Sequence, residues 1–187
     1  MKYTQIPETA FQNIQLNAGI LVKTFTPNTG VVGAIVGATS GGVNFTATPE
    51  FTDFGEDIDN CPKNMLELKK LSSWEAKMSG TFVSVSANLA KTLVGAADAE
   101  EGHIVPRNEI LTTDFEDIWW VGDYSDNNNG ENAGFCAIHL KNALSTGGFQ
   151  IQSNDKGKGT FSFEFTGHFS MDAQDEVPFE IYIKQGE

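Results

Sequence analysis

The run Asp123-Tyr124-Ser125-Asp126-Asn127-Asn128-Asn129-Gly130-Glu131 gathers enough oxygen donors to be read first as a calcium loop. The spacing does not hold. With Gly130 at the glycine position of an EF-hand loop, Ser125 comes first and Cys136 falls where a bidentate Glu must stand. Strand-like alternation over Phe135–Leu144 also denies the flanking helix, so the run reads as a hairpin turn at Asn129-Gly130. A phosphate loop at Gly37-Ala38-Thr39-Ser40-Gly41-Gly42 fails as well, because neither a Lys-Ser/Thr pair nor a helical pattern follows. His103, His139 and His168 lie on three segments without metal-ligand spacing. Asp114 and Asp117 could be paired for hydrolysis, but a chain with 25 acidic residues makes such pairs by chance. No Ser sits in a nucleophile elbow, and Cys136 has no catalytic neighbours in sequence. The expectation is a protein that is not an enzyme and has no cofactor, no metal and no catalytic residue.

Charge narrows the partners. Twelve Lys and Arg against 25 Asp and Glu leave a net charge of −13 over 187 residues. A grip on nucleic acid or anionic lipid needs clustered positive charge, so neither is expected. A protein that handles DNA by declining to stick to it remains open. Cys61 and Cys136 are too few for a disulfide framework and read as reduced thiols. The first residues show no secretory h-region, and no apolar run is long enough to span a membrane, so a soluble cytoplasmic chain is expected.

The dominant period is two. Phe161, Phe163, Phe165, Gly167 and Phe169 alternate with Thr160, Ser162, Glu164, Thr166, His168 and Ser170, a strand with one phenylalanine wall. Val43–Thr52 and Val177–Lys184 repeat the pattern, and Pro178 places the latter at an edge or bulge. Trp74, Ala76, Met78 and Phe82 share parity, whereas Val83 and Val85 take the other, which predicts a bulge near Gly80–Phe82. Gly19–Phe25, Asp117–Tyr124, Phe135–Leu144 and Phe149–Gln152 complete about seven to nine strands. Ser86 caps a helix striped by Leu89, Ala90, Leu93, Val94 and Ala97, and Pro62–Leu71 is a weaker helical candidate. The fold class is mainly β: one antiparallel sandwich or barrel, spanning residues 1–187, with one flanking helix.

Three segments fit a closed sandwich poorly. Residues 1–18 read as an N-terminal arm. Residues 26–42 read as an extended glycine-rich loop that also carries bare Val31, Val32, Ile35 and Val36, which suits docking onto a partner subunit. Phe51–Cys61 is acidic. Trp119-Trp120 must point to opposite strand faces, so one indole is expected outside the core, on a recognition surface or under a second packed layer.

Several blocks together resemble one family. They are Gly41-Gly42-Val43-Asn44-Phe45-Thr46-Ala47-Thr48-Pro49 with Gly55-Glu56-Asp57-Ile58-Asp59-Asn60-Cys61-Pro62, Trp74–Phe82, Asp117–Tyr124, and Gly157–His168. The chain thereby resembles the major tail proteins, or tail tube proteins, of long-tailed phages and prophages of Gram-positive bacteria, over most of residues 11–184. None of these blocks is a catalytic motif, so extent and order carry the likeness. It implies a structural virion protein of tail-tube type, whose hexameric rings join sheet edges into an inner barrel and stack into a tube. Other tail proteins are then partners, and DNA passes through the lumen without specific binding. The location implied is the virion tail, with the host cytoplasm before assembly. On that footing Val31, Val32, Ile35, Val36 and Trp119 are the expected inter-subunit contacts, and the negative charge is expected to line the lumen. The alternatives are a β-sandwich binding module of the virion, with an aromatic groove near Trp119, Trp120 or Tyr124, and the tube of a contractile injection device.

Overall fold

A computed structural model describes residues 6–7, 10, 14–124 and 134–185; the turn expected at Asn129-Gly130 and most of the oxygen-rich run around it lie outside these. In chain order the elements are β1 (Ile20–Val22), β2 (Phe25–Thr26), β3 (Val31–Val32), β4 (Ile35–Gly37), β5 (Thr39–Asp53), β6 (Lys69–Phe82), α1 (Ala87–Val94), β7 (Ala97–Glu100), β8 (His103–Pro106), β9 (Glu116–Asp123), β10 (Phe135–Ser145), β11 (Gln150–Gln152), β12 (Thr160–Thr166) and β13 (Phe179–Lys184). Nine strands form one antiparallel sheet in the order β4-β1-β9-β10-β12-β6-β5, with β13 beside β10 and β11 beside β12. β2–β3 and β7–β8 are separate small hairpins. The protein is therefore mainly β with one helix, as the alternation predicts.

β10 turns this sheet into two layers. Its residues Phe135–Leu140 lie between β9 and β13, while Leu144 and Ser145 pair with Thr166 and Phe165 of β12. Between the two stretches the register slips, and Asn142 takes a left-handed φ of 46°. Asp117 accepts the Asn142 backbone N–H at 2.9 Å, and the Asn142 side-chain amide donates to the His168 carbonyl at 3.1 Å. An extra residue of this kind bends a strand, and here the bend carries it out of one layer and into the other.

The core fills the space between the layers. Leu21, Ile118 and Leu140 come from the first, and Ala76, Met78, Phe82, Phe161, Phe163 and Phe165 from the second. The phenylalanine wall is thus inside as far as Phe165; the strand ends at Thr166, and Phe169, expected in the same wall, is exposed. Ser86 caps α1 by accepting the Leu89 N–H at 3.2 Å, and Leu89, Ala90 and Leu93 turn to the core.

Four expectations are corrected. Residues 26–42 are not an open loop: the segment folds as the β2–β3 hairpin, then β4 paired with β1, then the start of β5. The bulge at Gly80–Phe82 exists, but its extra residues are Ser40–Gly42 on the partner strand, while β6 stays in phase with β12. Val83 changes parity because the strand ends at Phe82. Pro62–Leu71 forms only a 3-10 turn at Leu66–Leu68, after left-handed Asn60 and Asn64, because Lys69, Lys70 and Leu71 find ladder partners in Asp53, Thr52 and Phe51. Tertiary pairing overrides a weak local helical preference. Among the described residues the strands number thirteen rather than about seven to nine, the surplus being pieces of two to four residues.

Asp114, one of the two carboxylates weighed for hydrolysis, is structural. Its side chain is 2% exposed and accepts from Arg107 Nη2 at 2.6 Å and from the Leu111 N–H at 2.8 Å. The Leu111 amide first, and then the Arg107 guanidinium, hold its carboxyl below the usual range. A depressed folded value stabilises the protein above the unfolded value, near 3.9, and that stabilisation is lost as pH falls through the folded value. Asp114→Asn is expected to cost about 1.5–3 kcal/mol at pH 7. Urea melts of both proteins at pH 7 and pH 3 check this, with the difference shrinking at the lower pH.

Candidate functional site

The second layer, β5-β6-β12-β11, has one face in the core and one in water, and the outer face is almost wholly small and polar. Asn44, Thr46, Thr48 and Glu50 of β5 stand across from Ser79, Lys77, Glu75 and Ser73 of β6. Thr81, Ser79 and Lys77 stand in turn across from Ser162, Glu164 and Thr166 of β12. No aromatic or aliphatic side chain interrupts these rows. Period-two alternation makes this unavoidable, since every apolar partner is on the core side.

Electrically the face is slightly negative. Glu50, Glu75 and Glu164 oppose Lys77, whose ammonium lies 2.6 Å from Glu75 Oε1. That hydrogen bond to Glu75, reinforced by Glu164, raises the Lys77 pKa and keeps the amine charged. Ser73 Oγ donates to Glu50 at 2.6 Å, and Thr146 Oγ1 donates to Glu164 at 3.1 Å. Most of the acidic excess therefore lies outside these rows.

Both lateral edges of this layer are open. β5 pairs with β6 on one side and with no other strand among the described residues; β11 pairs only with β12. Because each neighbour is antiparallel, β5 and β11 run in opposite directions.

Beyond the body, β5 and β6 continue as a two-stranded ribbon, since β12 accompanies β6 only over Lys77–Phe82. A one-residue slip at Ser72 pairs Phe51 with Leu71, and the tip carries Phe54, Ile58 and Leu66 in solvent, Leu66 at 85% exposure. Asp53 fastens the base of the tip by accepting from the Gly55 and Asn64 amides, each at 2.9 Å. Those two bonds lower its pKa.

The expected contact residues separate. Val31, Val32 and Ile35 are exposed, at 61%, 42% and 63%, whereas Val36 is half-buried against the main core. Trp119 is 7% exposed. It stacks on His139 at 3.9 Å and meets the Phe25 edge at 5.6 Å, in a small cluster with Val22 and Ala137 beneath β2–β3. The outward indole is thus covered by a second packed layer, and Trp119 offers little surface to a partner. Trp120 packs on the main core and donates from Nε1 to the Ala18 carbonyl at 2.9 Å. Gly19 is needed there: its φ is +68°, and a Cβ would stand 2.4 Å from the Trp120 ring nitrogen. Both indoles thus belong to packed clusters, Trp120 to the main core and Trp119 to the smaller one.

His139 lies 3.0 Å from Asp117, while His168 Nδ1 donates to the Asn142 carbonyl at 3.1 Å and the ring packs on Phe115. Cys61 and Cys136 are free thiols, and burial pushes the Cys136 thiol up. Among the described residues no helix is long and apolar enough to cross a membrane. The ribbon tip and the free edges escaped the sequence reading, although bare Phe54 and Ile58 inside an acidic stretch were a visible signal. The sequence matches no protein-family model and no curated protein.

Proposed function

We propose that this chain is a tube-building structural subunit of the phage tail-tube kind. Copies join side by side through β5 of one and β11 of the next, and ribbon tips and N-terminal arms link one ring to another. The polar face lines a bore along which DNA passes without specific contact. The observation that carries this reading is a polar sheet face bounded by two free edges of opposite direction. An even number of alternating strands lets identical subunits meet head to tail in an all-antiparallel seam, so a ring closes without mispaired strands. Six subunits per ring, a tail of Gram-positive phage or prophage origin, and other tail proteins as neighbours are what the resemblance implies.

The face chemistry supports passage and not capture. Three carboxylates against one paired ammonium leave a slightly negative wall of hydroxyls and amides. Such a wall gives phosphates no cluster of counter-charge to hold, and no aromatic on which a base can stack. The exposed ribbon tip is a liability in a lone molecule and useful only when covered.

Negative-stain electron microscopy with light scattering on concentrated protein tests the proposal. Hexameric rings or hollow tubes are the expected result. A chain that stays monomeric at every concentration, and also when offered a preformed tail-tip complex, overturns it.

A further inference from the structure

The two edges that the proposed ring must join are very unequal. β5 offers fifteen residues. On the other side, the edge of β12 is covered in two pieces, by Leu144 and Ser145 of β10 and then by Gln150–Gln152 of β11, with a register slip of two residues between them. The Thr146 and Gly147 amides both donate to the Glu164 carbonyl, at 2.9 and 3.2 Å, and Gly148 takes a φ of +69°. The chain is thereby thrown off the ladder at Gly147 and rejoins it for three residues only. A bulged strand this short cannot present enough free N–H and C=O groups to a partner five times its length.

We propose that the Thr146–Phe149 bulge is an assembly gate. Resting on the ring reading above, the inference adds how joining is controlled. In the free subunit, left-handed Gly148 keeps the β11 edge short. When Gly148 passes to the extended region, β10 and β11 become one continuous edge, and a second copy's β5 can pair along it. Because the slip is two residues and not one, straightening leaves every side chain on its original face. Ile151 therefore stays on the same side as Phe161, its present cross-strand neighbour. The two released residues pass into the Ser153–Gly159 turn, where Gly157 and Gly159 accommodate them. Glycine makes the conversion nearly free at position 148, since it holds both backbone regions about equally.

Gly148→Ala tests the gate. A Cβ at this position meets nothing within 4 Å, so the substitution acts on backbone preference and not on packing. Alanine disfavours the left-handed state and shifts the balance toward the extended edge by about fivefold. Light scattering of purified wild type and Gly148→Ala is expected to show a polymerisation lag shortened about fivefold in the variant. Hydrogen exchange supplies a second reading: the Gly148 and Phe149 amides, which donate to no backbone carbonyl between the two ladders, exchange freely in the monomer and become protected in the polymer. Wild type that polymerises while Gly148→Ala keeps the same or a longer lag, or Gly148 and Phe149 amides already protected in the monomer, overturns the gate and leaves the ring reading standing. A wild-type chain that never polymerises overturns both.

Discussion

Phe163→Ala is expected to destabilise the subunit by about 3–5 kcal/mol and to abolish assembly by unfolding it. Phe163 is 3% exposed, stacks on Phe82 at 4.4 Å and tilts against Phe165 at 5.4 Å. It faces Gly80 across the ladder, and the ring occupies the space that a side chain at 80 would need, with a Gly80 Cβ only 2.8 Å from Phe163 Cζ. Truncation therefore opens a hole that Gly80 cannot fill. The backbone ladders on both sides of β12 also prevent the layers from collapsing into it, so the transfer and cavity terms add. Chemical denaturation followed by fluorescence measures the loss. Fully soluble variant protein with wild-type stability would contradict the central place given to this phenylalanine wall.

The second large effect is expected where stability does not change. Phe54 and Leu66 stand 59% and 85% exposed at the ribbon tip, and removing exposed apolar side chains leaves stability within about 0.5 kcal/mol. The double variant Phe54→Ser/Leu66→Ser should thus melt like wild type. In the proposed assembly the same residues are covered by a neighbouring ring. Burying a large apolar side chain contributes about 1.5–3 kcal/mol, and every ring repeats the contact, so the loss multiplies along the tube. Electron microscopy is expected to show isolated rings or monomers in place of tubes. Tubes of normal length would remove the tip from the stacking contact. Together the two experiments separate folding from assembly, because one variant fails by unfolding and the other while fully folded.

Local chemistry made a good part of the fold legible. Alternation assigned the strands and their core faces over Val43–Ala47 and Thr160–Phe165, since a strand leaves no third direction for a side chain. It did not do so at their far ends, where Phe51 lies beyond a register slip and Phe169 beyond the strand, both exposed. Ser86 marked the start of α1 because the orphan groups of a helix end must be met by neighbours in sequence, whereas the stripe read through Ala97 overran its end: the helix stops at Val94 and Ala97 opens β7. Pro178 marked the start of an edge strand because it has no N–H to give. The polar rows of the candidate site are the complement of those same periods, so they too were written in the chain.

Other features rested on partners distant in sequence. Lys69–Leu71 carry helix-compatible residues, yet pair with Phe51–Asp53, and no local rule weighs a ladder against a helix. Trp119 and Trp120 had to face opposite ways, but only the β2–β3 hairpin folding back decided that both would be covered. The bend at Asn142 needs the Asp117 carboxylate, contributed by another strand. The sequence by itself determined which residues of a strand share a face, where the helix begins, and that the net charge is strongly negative. Which faces meet, which edges stay open, and that the acid is spread away from the polar sheet face were decided by the tertiary structure. Periodicity is a property of one segment, whereas an edge or a layer exists only through the neighbours a segment does or does not have.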